Sequence, residues 1–230
     1  NHNVYAIFED SKKNLWIGTY GGGLQLLDRK TKKFKTFTYD PSNKNSIIGN
    51  SIRSIQEDSK GNLWIACDGN GLSKFNYSKN QFTNYTHSEN QNSLCSNATL
   101  SIFIENDSSM YIGTWAGGIS HFNPQNNKFT TIKHNSKESN SLHSNEVFSI
   151  YKDLHGMLWF STRNGVDIYN PRTKIFNHNT HIAYDNSTIP NNFATYITAD
   201  KTGSVWLATA GGVCKTNIIS GNTSLTQPEI

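Results

Sequence analysis

The sequence predicts an all-β fold of five four-stranded units, and three observations carry that prediction. An aromatic anchor recurs at Trp16, Trp64, Tyr111, Trp159 and Trp206, at steps of 48, 47, 48 and 47 residues. Each repeat holds four short apolar stretches bounded by turn residues, the pattern of strands and tight turns. Sustained helical periodicity is absent from all five. Four strands in a repeat of roughly 40–50 residues are the signature of a β-propeller blade. The chain therefore reads as a β-propeller, or a propeller fragment, of five blades. They span approximately 4–39, 52–87, 99–134, 147–180 and 194–226.

Each strand has its own locked column. The first carries Ile7, Ile55, Ile102, Ile150 and Ile197, nine residues before the anchor. The turn that follows holds an acid (Asp10, Asp58, Glu105, Asp153, Asp200). Three residues before the anchor stand Lys13, Gly61, Ser108, Gly156 and Gly203. In such a turn a carboxylate accepts backbone amides and glycine supplies the left-handed position. The second strand is the anchor strand, Leu15-Trp16-Ile17-Gly18-Thr19 and its four counterparts. Apolar residues at consecutive positions there suit a sheet covered on both faces, so the indoles are expected between blades. A glycine-containing turn leads to the third strand. The fourth strand is marked by Phe34, Phe82, Phe129 and Phe176, with Thr223 in the fifth unit.

The longest connection joins the fourth strand of one unit to the first of the next. It reads Asn45-Ser46-Ile47-Ile48-Gly49-Asn50, Asn92-Ser93-Leu94-Cys95-Ser96-Asn97 and Asn140-Ser141-Leu142-His143-Ser144-Asn145. A looser version spans Asn186 to Asn192. Propeller geometry places this crossover on the same side of a blade as the turn between strands two and three.

Composition narrows the function classes. The 230 residues include 30 Asn, 25 Ser and 21 Thr, the stuff of polar turns, while aromatics at 12% supply enough apolar area for a folded core. No run approaches the roughly 18 apolar residues of a membrane span. The first residues show neither a basic nor an apolar leader region, and the missing initial Met suggests an excised segment. A net charge of +4 comes from scattered residues and not from a basic face, so no nucleic-acid partner is expected. Cys67, Cys95 and Cys214 fit no zinc or redox spacing and read as structural thiols, although one pair could form a disulfide. The glycine clusters Gly21-Gly22-Gly23 and Gly117-Gly118 precede strands, not helix N-termini, so they are turns and not phosphate cradles. One acid per turn is too few for calcium. The eight histidines, from His2 to His181, show no His/carboxylate cluster at metal-ligand spacing. No cofactor, metal or catalytic residue is expected.

One column departs from the rest. Directly after the conserved-type Thr/Cys position stand Tyr20, Asp68, Trp115, Arg163 and Ala210, which differ in size, charge and aromaticity. A repeat scaffold holds its core constant and varies what faces a partner. Tyr20, Asp68, Trp115 and Arg163 are thus the ligand-contact candidates, joined by His143 from the crossover column Ile48, Cys95 and His143.

The motif Asp-x-x-Gly-x-Leu-Trp-Ile-Gly-Thr, the following glycines and the Asn-Ser-Leu-x-Ser-Asn crossover resemble the two-component regulator propeller repeat over essentially the whole chain. The departures are Lys13, Ser108, Tyr111 and the missing fifth Phe. The resemblance implies a periplasmic, ligand-sensing segment of a Bacteroides-type hybrid two-component system. Its usual ligand would be a glycan-derived oligosaccharide, bound without catalysis. Membrane attachment and the kinase would belong to other regions of the parent protein. Self-association through blade faces, or as a homodimer, is expected from open apolar faces. The alternatives are a structural or protein-docking propeller, and a streptogramin-lyase-like metal-dependent lyase with a His/Glu site.

Overall fold

The computed structural model describes residues 3–89, 92–219 and 222–226; His2 lies outside them. It is all-β, and among the described residues there is no helix that could cross a membrane. Five antiparallel four-stranded sheets follow one another, each a simple meander in which sequential strands pair. The first is β1 (Val4–Glu9), β2 (Leu15–Thr19), β3 (Leu24–Leu27) and β4 (Phe34–Phe37). The second is β5 (Ile52–Glu57), β6 (Leu63–Cys67), β7 (Gly71–Asn76) and β8 (Gln81–Tyr85). The third is β9 (Thr99–Asn106), β10 (Ser109–Thr114), β11 (Ile119–Asn123) and β12 (Lys128–Ile132). The fourth is β13 (Val147–Lys152), β14 (Leu158–Thr162), β15 (Gly165–Asn170) and β16 (Ile175–Asn179). The fifth is β17 (Ala194–Ala199), β18 (Val205–Thr209), β19 (Gly212–Ile219) and β20 (Asn222–Thr226). These are the blades of a β-propeller. The chain divides into two compact units, Asn1–Thr131 with the first three blades and Ile132–Ile230 with the last two.

The acid column sets the first turn of a blade. In blade 1 the Asp10 Oδ1 accepts the backbone N–H groups of Lys12 (2.9 Å) and Asn14 (2.8 Å), and Oδ2 accepts the Trp16 indole N–H at 2.8 Å. Asp58, Asp153 and Asp200 repeat this grip on Trp64, Trp159 and Trp206 at 3.0, 2.8 and 3.0 Å. The side chain that closes the turn thus also fixes the indole. Blade 3 has Glu105 and Tyr111 instead. There the Ser109 hydroxyl donates to Glu105 at 2.8 Å, and the Tyr111 ring stacks on His121 with centroids 4.5 Å apart.

The held indole faces the next blade of its unit. Trp16 meets Phe75 edge-on at 5.7 Å and bonds the Tyr77 hydroxyl at 3.0 Å, and Trp64 meets Phe122 at 5.8 Å. In the second unit Trp159 packs with Ile197, Val205 and Leu207. Trp16, Trp64, Tyr111 and Trp159 are buried, as the repeat predicts. Trp206, in the last blade, departs from this expectation and is half-buried under the Lys215 ammonium. The opposite face carries the isoleucine column. Ile55 and Ile102 are 4% and 5% exposed because a preceding blade covers them, whereas Ile7 in the first blade is 68% exposed. Burying a side chain of this size is worth about 1.5–3 kcal/mol, so each such interface is a substantial part of the stability.

The crossover is built as tightly as the strands. Ile47, Leu94, Leu142 and Ile189 are buried plugs. The last Asn of each crossover accepts the backbone N–H that follows the preceding fourth strand: Asn50 from Tyr39, Asn97 from His87, Asn145 from His134 and Asn192 from His181, at 2.6–2.8 Å. The first Asn guards an outer strand. Asn92 and Asn140 accept the N–H of Phe129 and Phe176 and donate to the carbonyls of Asn127 and Lys174, occupying groups of a sheet edge that would otherwise be open for pairing. Cys67, Cys95 and Cys214 form no disulfide with one another. Burial pushes Cys67 up to about 12, against a weaker pull from Ser73, and Cys214 up to about 11.

Two expectations follow from the acid turn. Burial alone would raise the Asp10 carboxyl, but hydrogen bonds from Tyr77, Trp16 and Asn14 outweigh it and hold the group below the usual carboxylate range. A folded-state value below the unfolded one makes this contribution full above about pH 4, and it is lost as pH falls further. Asp10→Ala is expected to cost about 3 kcal/mol at pH 7, since it orphans several donors, and much less at pH 3. Urea unfolding at both pH values checks this, and an equal loss at both would refute it. Lys13 holds φ 66° where Gly61, Gly156 and Gly203 stand in the other blades. Lys13→Gly is expected to raise stability by about 0.5–1 kcal/mol in the same assay. A lower urea midpoint would contradict this.

Candidate functional site

The variable column sits on a fixed backbone. The preceding threonines hold the turn between the second and third strands through side-chain bonds: Thr19 to the Gly23 carbonyl, Thr114 to Gly118, Thr162 to Gly165 and Thr209 to Gly212, at 2.9–3.0 Å. Next in sequence, the N–H groups of Tyr20, Asp68, Trp115 and Ala210 donate to the carbonyls of Asn3, Ser51, Ala98 and Phe193, each just before a first strand. Main chain is therefore constant while side chain varies. Tyr20 and Trp115 are 48% and 45% exposed, and Arg163 and Ala210 are exposed too. Asp68 is half-buried.

A second varying column lies beside it. The first strand of each blade carries an irregularity one residue in, at Tyr5, Arg53, Leu100, Phe148 and Thr195. Such bulges re-aim a side chain and gather near binding sites. In the first unit the Tyr5 ring meets Tyr20 edge-on at 5.9 Å, and the Arg53 guanidinium lies 4.5 Å over the Tyr5 ring. In the second unit Arg163 pairs with Glu146 at 3.4 Å and lies 5.4 Å over the Phe193 ring, which in turn contacts Phe148. Tyr5, Arg53 and Phe148 are absent from the sequence-derived candidates. Their signal was a position locked to the repeat yet changing in every unit.

His143 stands in the crossover that leads into blade 4, where the Asn164 amide, next to Arg163, donates to its carbonyl at 3.4 Å. Its column is held by the middle of the third strand: the Ile48 N–H donates to Ser73 at 3.0 Å and the Cys95 N–H to Ser120 at 2.9 Å. In blade 4 the acceptor is Asp167, fully buried, whose Oδ2 takes the His143 N–H at 2.7 Å. The other oxygen lies 2.7 Å from Nδ1 of His178, its cross-strand partner. Nε2 of His178 is bonded to the Ser139 carbonyl at 3.1 Å, and the His143 and His178 rings are 4.5 Å apart. Burial raises the Asp167 carboxyl against the opposing bonds from His143 and His178. Burial would lower His178, but its bonds to Asp167 and Ser139 together with the carboxylate charge raise it. One potential ligand atom from each of His143, Asp167 and His178 lies within 4.8 Å of the others. Sequence spacing did not reveal this group, because its members stand 24 and 11 residues apart and meet only through the crossover and the strand pair. By contrast His87, His134 and His181 are tied through Nδ1 to the carbonyls of Leu94, Leu142 and Ile189, and serve the crossover.

Comparison with known proteins agrees with the repeat. Residues 1–21 and 46–69 match the two component regulator propeller family model. No curated protein sequence matches it. The extracellular domain of a hybrid two component system from B. thetaiotaomicron superposes with TM-score 0.77 at 21% identity, over 95% of this chain and 27% of that one. A second such extracellular domain from the same organism gives TM-score 0.68 at 22% identity, over 91% of this chain and 33% of the other. Virginiamycin B lyase from Staphylococcus aureus gives 0.69 at 13% identity, over 99% of this chain and 71% of the lyase. At these identities the structures share the fold. The chain spans about a third or less of the two extracellular domains.

Proposed function

We propose that this chain is a ligand-sensing propeller segment of the extracellular, periplasmic region of a hybrid two-component system, and that it binds a glycan-derived oligosaccharide without chemical change. The observation that carries this reading is the pairing of a fixed main chain with exposed, unit-specific side chains. Within the first unit Tyr20, Asp68 and Trp115 stand at equivalent positions of three blades, with Tyr5 and Arg53 on the neighbouring bulges. Tyr and Trp offer a flat apolar face with a polar edge, which suits a sugar ring. Asp68 can accept hydroxyl hydrogen bonds, and Arg53 can meet a carboxylate or sulfate. In the second unit Arg163 offers the same chemistry in exchange for Glu146. The two-component repeats and the extracellular domains that share the fold support this setting.

A panel of oligosaccharides read by thermal shift tests it, because a ligand bound only by the folded state raises stability. With a binding sugar found, Trp115→Ala and Arg53→Ala are each expected to weaken it tenfold or more, about 1.4 kcal/mol, with the melting temperature of the free protein nearly unchanged. Parental affinity in both variants would move the site elsewhere.

The docking reading has one specific observation in its favour, and it can hold alongside sensing. Ile7 of β1 is exposed, whereas in the same column Ile55 and Ile102 are covered by the indole-bearing sheet of the preceding blade. The occupant this face fits is another such sheet, supplied by a second copy of the chain. Sedimentation velocity is expected to show concentration-dependent association that Ile7→Lys suppresses. A monomer at all concentrations would refute it.

A further inference from the structure

We propose that His143, Asp167 and His178 form a site for a divalent transition-metal ion of the zinc class, set in the crossover edge of blade 4. Two imidazoles and one carboxylate are the donor set of zinc sites that keep a fourth position open. The three ligand atoms lie within 4.8 Å of one another; tetrahedral zinc bonds of about 2.0–2.2 Å set ligand atoms about 3.4 Å apart, so binding opens the 2.7 Å Asp167–His178 pair and draws His143 in.

Three features of the group point to a bound cation. Holding the crossover N–H requires only a hydroxyl, since Ser73 and Ser120 do it in blades 2 and 3. A fully buried carboxylate at the same position is costly unless a cation meets it. Second, the Ser139 carbonyl can only accept, so the His178 Nε2 that bonds it carries the proton. In the neutral ring Nδ1 is then a bare lone pair pointing at a carboxylate oxygen 2.7 Å away. Two acceptors facing each other need a cation between them, a proton or a metal ion. A metal-bound histidine whose other nitrogen donates to a backbone carbonyl is the usual outer-shell arrangement. Third, Nδ1 of His143 is buried without a hydrogen-bond partner. Buried polar atoms in that condition call for an explanation, and a bound ion is one. Neither other blade with this crossover sequence repeats the donors: the positions of His143 and Asp167 are Ile48 and Ser73 in blade 2, Cys95 and Ser120 in blade 3. The position of His178 is Asn84 in blade 2.

The site is tested on the 230-residue chain, stripped with chelator and dialysed, then titrated with Zn2+ by calorimetry and with Co2+ by visible absorption. One equivalent is expected to bind, with ligand-field bands for Co2+ and a rise in melting temperature with Zn2+. His178→Asn and His143→Ile, each restoring the blade 2 residue, are expected to weaken binding at least tenfold while the metal-free circular dichroism spectrum is kept. Should His143→Ile fail to fold, His178→Asn decides alone. Absence of saturable uptake by the parent chain, or uptake at parental affinity in the folded variants, overturns the proposal.

Discussion

The bond from a turn carboxylate to an indole N–H is the interaction on which the rest of the molecule depends. Asp10, Asp58, Asp153 and Asp200 each close a tight turn and, with the second oxygen, hold the tryptophan of the next strand. A bond to an ionised acceptor contributes about 1.5–3 kcal/mol, more than an ordinary one. Its larger effect is directional. The indole can fill a gap between blades only if its ring plane is set, and Trp16 and Trp64 then meet Phe75 and Phe122 at nearly the same distance. Local turn chemistry and long-range packing are joined in one side chain.

Blade 3 shows what replaces the clamp. With Glu105 one methylene longer and Tyr111 lacking the indole N–H, β9 and β10 extend to Asn106 and Ser109 and the turn between them shortens. Ser109 bridges Glu105 and His121, and stacking of His121 on Tyr111 orients that ring. Burial lowers His121 despite the Glu105 charge, so a neutral imidazole suits this role. The blade keeps its place by a different set of contacts.

The fold was legible because its columns are each forced by one physical need. Ile55, Trp64 and Leu72 had to be apolar to lie between sheets, and Gly61 had to tolerate a left-handed turn; repetition made those needs visible. Lys13 shows the limit of that logic, since it adopts the glycine conformation without being glycine. The first-unit surface was half legible. Tyr20, Asp68 and Trp115 stood out against constant neighbours; Tyr5 and Arg53 also vary at a repeat-locked position, but the bulge they sit on is announced by no residue type. Asp167 and His178 were not legible at all. Their meeting with His143 needs the crossover of one blade laid along its third strand, a relation between segments that periodicity along one strand does not encode.

The main-chain anchoring of Tyr20, Asp68, Trp115 and Ala210 has an evolutionary consequence. Each of these residues is held by its own N–H, which every amino acid but proline possesses. Replacement of the side chain leaves that tether and the Thr-held turn intact, so mutation there is nearly neutral for folding. Under the sensing role proposed above, recognition would drift, and be selected, one blade at a time. Duplication or exchange of a blade would carry its own variable residue to a new neighbourhood without renegotiating the core. A lineage facing a changing supply of ligands would then gain a protein whose preference is assembled from interchangeable parts.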